Sequence, residues 1–349
     1  MQPVITRMLA ACVALTCGGV AITGSSVELL AQTPSPTTQA SGAPFDVPFE
    51  APAWAFPRRV QPAGPAPASV GDSGILLHVP DSRAAFTQQQ VDDLFEAVDW
   101  HPETHPAMPT AVATGRRPIV MACGSCHLPD GAGRPENATL AGLPAAYIVE
   151  QITDMRSRAR KSAHEPYGPM DYMQKIADSV TASELDAVAR YYSRLQPSRR
   201  SRVVETTEIP RPIPQTGLYF PAPGGAVEPL GERLIEMPED PARHDARDAA
   251  LTYIAYVPPS SLARGRALAT TGSPGGAPPC ASCHGPQLRG VGLIPPLAGR
   301  FPSYIVRQLL AFKTGARSTP ASVPMRDVAA TLSLADMIAA AAYAGSQQP

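Results

Sequence analysis

Two copies of a cysteine-cysteine-histidine motif constrain this chain more than any other feature. One copy, CGSCH, occupies residues 123–127, and the other, CASCH, occupies residues 280–284. Thiols three positions apart project from one face of a helical turn, and an imidazole follows at once. This spacing is typical of c-type haem attachment, in which the thiols bond the porphyrin and the histidine binds the iron.

The sequence therefore predicts two covalently bound haems c. The residues predicted to attach them are Cys123, Cys126, Cys280 and Cys283, and the residues predicted to bind iron from one side are His127 and His284. The two remaining cysteines, Cys12 and Cys17, lie close to the N-terminus. A zinc site would need further ligands, and none cluster near either motif.

The motifs belong to a longer internal repeat. A shift of 157 positions places the first motif on the second, the LAG run at 140–142 on that at 297–299, and the YIV run at 147–149 on that at 304–306. The same shift pairs Gln151 with Gln308 and Arg160 with Arg317. Duplicated domains are the simplest explanation.

The opposite face of each iron is predicted from the later part of the repeat. Beyond Arg160 the register becomes 152, and at this shift Met173 falls on Met325, whereas Met170 falls on Ser322. A thioether opposite histidine gives a six-coordinate iron and raises its potential. Met325 and Met173 are thus the predicted ligands, with Met170 as the alternative to Met173 and His164 as a more distant one.

Proline content and periodicity predict the organisation of the chain. The 41 prolines and 27 glycines indicate long irregular segments between compact, mainly α-helical domains. The predicted parts are an export signal at 1–31, a proline-rich N-terminal extension with one short helix at 32–109, a first haem domain at 110–196, an irregular inter-domain segment at 197–258, and a second haem domain at 259–349.

The N-terminus predicts export. Arg7 precedes an apolar run at 8–22 and small residues up to Ala31, an arrangement typical of a cleaved signal. We expect a periplasmic protein, associated with the membrane only if the leader is retained. With 29 basic and 30 acidic residues, the net charge is −1, which gives no field favouring nucleic acid.

Local patterns predict several elements. Helices are expected at 88–98, 116–121, 145–155 and 182–195, the last with Ser183 as its N-cap, and short strands or irregular structure at 197–258. The basic run of Arg156, Arg158, Arg160 and Lys161 is either a solvated helix face or a contact for haem propionates or a docking partner.

With these residues in hand, the chain resembles class I cytochrome c, and more closely the diheme cytochrome c4 group of two fused domains. The resemblance rests on CASCHG at 280–285, IPPLAG at 294–299, YIVRQL at 304–309 and GAR at 315–317. It implies two tandem class I cytochrome c domains in which the Pro296 carbonyl orients His284. In the first domain Thr139 stands in place of that proline, and Leu128 stands where the family usually has glycine.

The predicted function is single-electron transfer between redox partner proteins, such as a donor dehydrogenase and an acceptor oxidase or reductase, with no catalytic residue. Two alternatives stay open. One is a diheme cytochrome c peroxidase, which needs an open iron position and nearby acid-base groups. The other is the cytochrome subunit of a dehydrogenase complex, with the proline-rich segments as docking surfaces.

Overall fold

A computed structural model describes residues 49–59 and 74–349, all of which belong to one compact unit. The predictions for the export signal and for residues 32–48 and 60–73 lie outside the described residues. No single helix in the described ranges is long and apolar enough to cross a membrane; the pair Pro320–Thr331 and Leu334–Ser346 meets that criterion only jointly, across a bend of 117°.

Helices dominate the described chain, as the sequence predicted. They are α1 (Gln88–Asp92), α2 (Thr110–Ala113), α3 (Cys123–His127), α4 (Ala145–Arg156), α5 (Gly168–Ser179), α6 (Ala182–Ser193), α7 (Pro241–Asp245), α8 (Ser261–Thr270), α9 (Cys280–His284), α10 (Pro302–Lys313), α11 (Val323–Thr331) and α12 (Leu334–Ser346). The strands are β1 (Leu76–Leu77), β2 (Phe86–Thr87), β3 (Ser201–Glu205), β4 (Glu208–Pro210), β5 (Pro212–Pro214), β6 (Tyr219–Pro221), β7 (Val227–Pro229), β8 (Ile235–Pro238) and β9 (Tyr253–Val257).

Helices α2–α6 form the first haem domain. Its core contains Ile148 of α4 and Val188 and Tyr192 of α6, all buried. Thr181 caps α6 in a reciprocal capping box with Glu184, which satisfies amides that the first helical turn leaves free. The prediction of Ser183 as the cap was wrong by two residues.

Helices α8–α12 form the second haem domain around a larger core. Helices α8 and α12 cross so closely that a Cβ on Gly265 would lie 2.0 Å from the Ala339 carbonyl oxygen. Ser333 and Asp336 make the same kind of capping box at the start of α12. The capping residues Thr181 and Ser333 are equivalent in the later part of the internal repeat, where the shift is 152 positions.

The two haem domains touch directly. Residues Arg160 and Arg317 form an antiparallel bridge, flanked by backbone bonds from Lys161 N to Ala316 O and from Ser318 N to Ala159 O, both 2.8 Å. The repeated GAR-like segments thus face each other at the contact between the domains.

The inter-domain segment is more regular than predicted. Strand β9 pairs in parallel with β3 and antiparallel with β8. Strand β4 pairs antiparallel with β7, and β5 and β6, which lie between them in the chain, form an antiparallel hairpin. The expected short strands are confirmed, and prolines stand at strand ends or in these two-stranded pieces, where a missing amide is tolerated. Buried Glu236 of β8 accepts hydrogen bonds from Ser201 and from Ser303 of α10, so the sheet packs on the second domain.

Two predicted helices differ from the structure. The helix at 88–98 ends at Asp92, because the Asp93 carboxylate accepts the Phe95 amide and so competes with helical bonding. The helix at 116–121 is wrong: Arg116 and Val120 exchange backbone bonds in a tight turn. Pro118 lies inside that turn, and proline disfavours a helical conformation of the preceding residue.

Candidate functional site

The first motif forms a single helical turn. Helix α3 begins at Cys123 after an extended Ala122, and the buried His127 ends it. The His127 Nδ1–H donates to the Ala138 carbonyl oxygen at 2.8 Å, which leaves Nε2 as the free lone pair. Burial lowers the pKa of His127, so its ring is neutral, as an iron ligand must be. Burial also raises the pKa of the Cys123 thiol to about 12.

A wide cleft opens in front of this motif. Its empty volume, counted to its open mouth and including open solvent, is about 1290 Å³. Cys123, Cys126 and His127 line one wall, and Met170 and Met173 line the cleft as well. Tyr304, Arg307 and Gln308 of α10 also line it, so the second domain completes the cleft of the first.

The second motif has the same local geometry. Helix α9 spans the second motif, and the His284 Nδ1–H donates to the Pro295 carbonyl oxygen at 2.9 Å. Burial lowers the pKa of His284 as well. Cys283 is exposed, whereas both cysteines of the first motif are half-buried.

The residue after each histidine adopts a left-handed backbone. Gly285 has φ +77° and Leu128 has φ +63°. Glycine takes this conformation without cost, whereas leucine does not. Leu128 is only 3% exposed, so packing of its side chain holds it in the conformation that glycine would take freely.

The predicted carbonyl acceptors were wrong by one residue. The resemblance implied Pro296 and, in the first domain, Thr139, but the imidazoles bond to Pro295 and Ala138. The Thr139 and Pro296 carbonyls instead accept hydrogen bonds from one guanidinium, that of Arg300, both at 2.5 Å. Every residue of the loop has a backbone carbonyl, so the sequence does not distinguish the acceptor. The folded path of the loop determines which carbonyl faces the imidazole.

The structure brings both candidate methionines of the first domain to the cleft. Met170 and Met173 stand three residues apart on α5 and therefore share a face. Counted from the start of the helix, Met170 matches Met325, because each is the third residue of its helix and directly follows a proline. Counted from the helix end, Met173 matches Met325. Helix α5 is three residues longer than α11, which is why the repeat changes register here.

Buried arginines provide a test of whether haem fits. Arg160 and Arg317 are 5% and 6% exposed and bond to Gln151, Gln308 and Tyr304, yet the Nε of each has no partner. Within the described residues neither forms an ion pair with a carboxylate, and the nearby Asp154 interacts with them only electrostatically. Buried cations require anions, and haem propionates would supply them at this contact.

Of the basic run, only Arg160 is buried in this way. Arg158 pairs with Asp178 on the surface, and Arg156 donates to the Ala177 and Val180 carbonyls. Sequence reasoning offered haem propionates as one possible partner of the basic run that includes Arg160, but it gave Gln151, Gln308 and Arg317 no role. The signal was their polarity, because buried polar residues kept in both copies of a repeat indicate a shared ligand.

Comparison with known proteins gives a consistent result, although no family model matches the chain. It is 29% identical over 233 residues to the thiosulfate dehydrogenase electron acceptor of Thiomonas intermedia, an alignment covering 66% of this chain and 80% of that protein. It is 26% identical over 244 residues to cytochrome c4 of Azotobacter vinelandii, covering 68% and 89%. It is 43% identical over 72 residues to cytochrome c-554(547) of Halothiobacillus neapolitanus, covering 18% and 79%.

Among solved structures, the thiosulfate dehydrogenase TsdBA of Marichromatium purpuratum aligns with a TM-score of 0.44 and 30% identity, over 65% of this chain and 37% of that one. The duplicated motif, the paired domains and the cytochrome relatives agree on the cofactor and its task. The chain belongs to the cytochrome c4-like diheme cytochromes c, and it transfers electrons through two covalently bound haems c.

Proposed function

We propose that this protein is the periplasmic electron acceptor of a dehydrogenase, and that the dehydrogenase docks on the second haem domain. Relatives from Thiomonas intermedia and Stutzerimonas stutzeri are named thiosulfate dehydrogenase electron acceptor, which makes thiosulfate dehydrogenase the partner to test. The predicted export signal supports the periplasmic location.

One pair of equivalent loops carries the docking proposal. In the second domain, the loop between His284 and its carbonyl partner contains Val291, Leu293 and Ile294, which are 55%, 62% and 39% exposed. Apolar side chains that stay exposed together on a loop indicate a contact surface. Val323, at the start of the helix that bears Met325, is also exposed, at 46%.

The equivalent loop of the first domain has the opposite character. Residues 134–137 read Arg-Pro-Glu-Asn, and Glu136 is 7% exposed. Arg307 of the second domain donates to the Pro135 carbonyl, and His244 of the inter-domain segment lies beside Glu136 and Arg134. The polar loop is therefore buried within the chain, whereas the apolar loop faces outward.

The first motif is also covered by the chain itself. Gly124 packs against Ala97 and Val112, so that an added Cβ would lie 2.9 Å from the Ala97 Cβ. The Arg247 guanidinium donates to the Ser125 carbonyl at 2.8 Å. These contacts support an arrangement in which partners reach the second haem.

Ligation in this proposal follows the sequence prediction. Cys123, Cys126, Cys280 and Cys283 would attach the haems, and the residues that would hold the irons are His127 with Met173, or Met170 as the alternative, and His284 with Met325. Haem c supplies a one-electron iron couple. The protein keeps each imidazole neutral through burial and fixes its tautomer through the Nδ1 bond, and electron transfer needs no substrate site.

The test is reduction of the holoprotein by thiosulfate dehydrogenase and thiosulfate in a stopped-flow spectrometer. We expect both haems to be reduced, and we expect Leu293→Ser to lower the second-order rate constant about tenfold, as for loss of an apolar contact of ~1.4 kcal/mol at an interface. Val227→Ser is the matched control, because Val227 is also 62% exposed but lies in β7.

Two outcomes would contradict the proposal. Reduction no faster than with thiosulfate alone would exclude this dehydrogenase as the donor. Equal rate constants for Leu293→Ser and Val227→Ser would show that the dehydrogenase does not dock on the 291–294 loop of the second domain. Covalent mass and absorption spectra of both variants check that two haems are present in each.

A further inference from the structure

Arg300 occupies a place that the internal repeat does not explain. It follows the LAG run at 297–299, where the first domain has Leu143 after its own LAG run. Arg300 is only 6% exposed, and within the described residues no carboxylate pairs with it. A buried arginine present in one copy alone has a task that the other copy does not duplicate.

The guanidinium of Arg300 joins the two domains. Its Nε donates to the Pro296 carbonyl and its Nη1 to the Thr139 carbonyl, both at 2.5 Å, and its Nη2 reaches the Ala141 carbonyl at 3.5 Å. Thr139 and Pro296 are equivalent positions of the repeat. One planar guanidinium therefore binds the equivalent backbone carbonyl of each domain, a geometry that arginine can supply and lysine cannot.

These points lie next to the iron-binding imidazoles. Pro295 and Ala138, whose carbonyls accept the His284 and His127 Nδ1–H bonds, immediately precede Pro296 and Thr139. Hydrogen bonds to the far nitrogen of a ligating histidine orient its ring and tune its basicity. Arg300 thus holds both of the loops that orient the imidazoles.

Arg300 stays charged in this setting. Burial lowers its pKa to about 10, which is still far above neutral pH. Unlike Arg160 and Arg307, it does not line the cleft of the first domain, and its donors are directed at backbone carbonyls. It is therefore a fixed cation between the two loops.

We propose that Arg300 is a positioning residue that clamps the loops behind both haems and keeps the midpoint potentials of both haems high. Reduced iron carries one positive charge less than oxidised iron, so a nearby fixed cation stabilises the reduced form. Because the clamp touches both domains, its charge acts on two irons at once. The proposal rests on the two bound haems and is independent of the partner dehydrogenase.

Spectroelectrochemical titration of the holoprotein tests the proposal. We expect Arg300→Gln, which keeps a hydrogen-bond donor but removes the charge, to lower the midpoints of both redox steps. Arg300→Lys keeps the charge, and we expect its midpoints to lie above those of Arg300→Gln. Arg289→Gln removes an exposed arginine of the same domain and should leave both midpoints unchanged.

The outcomes are decisive in either direction. A shift in only one step, or equal shifts in Arg289→Gln and Arg300→Gln, would overturn the proposal. Equal midpoints for Arg300→Lys and Arg300→Gln would also overturn it, because the charge would then have no effect. Both Arg300 variants keep a polar side chain, and a mass corresponding to two haems confirms that the compared proteins are intact.

Discussion

At the scale of single residues, this protein keeps its two imidazoles neutral by burial and fixes their tautomer with backbone carbonyls. His127 and His284 each use Nδ1 for that bond, so only Nε2 can meet a metal. In the proposed ligation, the second ligand of each iron is the thioether of Met173, or of Met170, in the first domain and that of Met325 in the second. Loss of a thioether should therefore open one iron while the other keeps its ligands.

Carbon monoxide measures this opening. We expect the reduced wild-type protein to bind no carbon monoxide at neutral pH, Met325→Ala to bind it at one of two haems, and Met173→Ala to do the same in the first domain. Met170→Ala tests the alternative, and Met108→Ala, a half-buried methionine outside the cleft, is the control. Binding by the unmodified protein would indicate an open iron and a peroxidase-like site.

At the scale of secondary-structure elements, the crossing of α8 and α12 depends on the absence of a side chain. The backbone of α12 occupies the position that a Cβ on Gly265 would take. Helices that cross this closely stabilise each other through continuous contact, and the core of the second domain is built on that contact.

Gly265→Ala should push these helices apart. We expect it to lower the free energy of unfolding by ~1–3 kcal/mol, as for other overpacked cores, despite alanine's higher helix propensity. Ala267→Ser, at an exposed position of the same helix, should change it by less than ~0.5 kcal/mol. Chemical denaturation followed by circular dichroism measures both; a stabilised Gly265→Ala would show that the helices are not in contact there.

Strand β8 is tied to its surroundings by a carboxyl group. Burial raises the pKa of Glu236, although hydrogen bonds from Ser201 and Ser303 oppose that shift. The folded state therefore binds the Glu236 proton more tightly than the unfolded state does. The stability that protonated Glu236 contributes is fully present below the ordinary glutamate pKa. It is lost as the pH rises through the higher pKa that Glu236 has in the folded state.

Glu236→Gln should remove this dependence. The amide resembles the protonated acid, so we expect the variant to lose less stability than the wild type between pH 4.5 and pH 8. Thermal unfolding across that range gives the comparison, and Glu232→Gln, at an exposed position of the same segment, should behave like the wild type. A steeper pH dependence in Glu236→Gln would mean that Glu236 is ionised when folded.

At the scale of the whole molecule, the two duplicated domains differ in how much of their surface the rest of the chain covers. The first domain is covered by the N-terminal extension, the inter-domain segment and α10, whereas the second domain presents an apolar loop. The chain has a net charge of −1, which provides no long-range attraction for a partner. Docking on such a surface depends on burial of apolar area.

Electron transfer from the dehydrogenase should therefore respond weakly to ionic strength. We expect the second-order rate constant to change less than about threefold between low salt and 0.5 M sodium chloride, whereas electrostatically steered pairs lose much more. Stopped-flow mixing over a salt series provides the measurement. A steep decline with salt would point to charged residues, and not the 291–294 loop, as the contact.

The sequence predicted the cofactor and the duplication well, because CxxCH spacing and repeat offset are local signals. It placed the acceptor carbonyls one residue late, at Thr139 and Pro296, since backbone direction in a loop depends on folded register. It missed Arg300 because a single arginine after a glycine resembles a surface residue in sequence, and its burial depends on the contact between the two domains. The buried roles of Arg160 and Arg317 likewise need both domains together.

The wall that α10 contributes to the first cleft has a consequence for biogenesis. During synthesis the N-terminal half emerges first, and its cleft then lacks Tyr304, Arg307 and Gln308. The first CxxCH motif would be accessible from that side for haem attachment until the C-terminal half folds. The order of synthesis would thus leave the first haem site open for formation of the thioether bonds, and folding of the second half would then complete its wall.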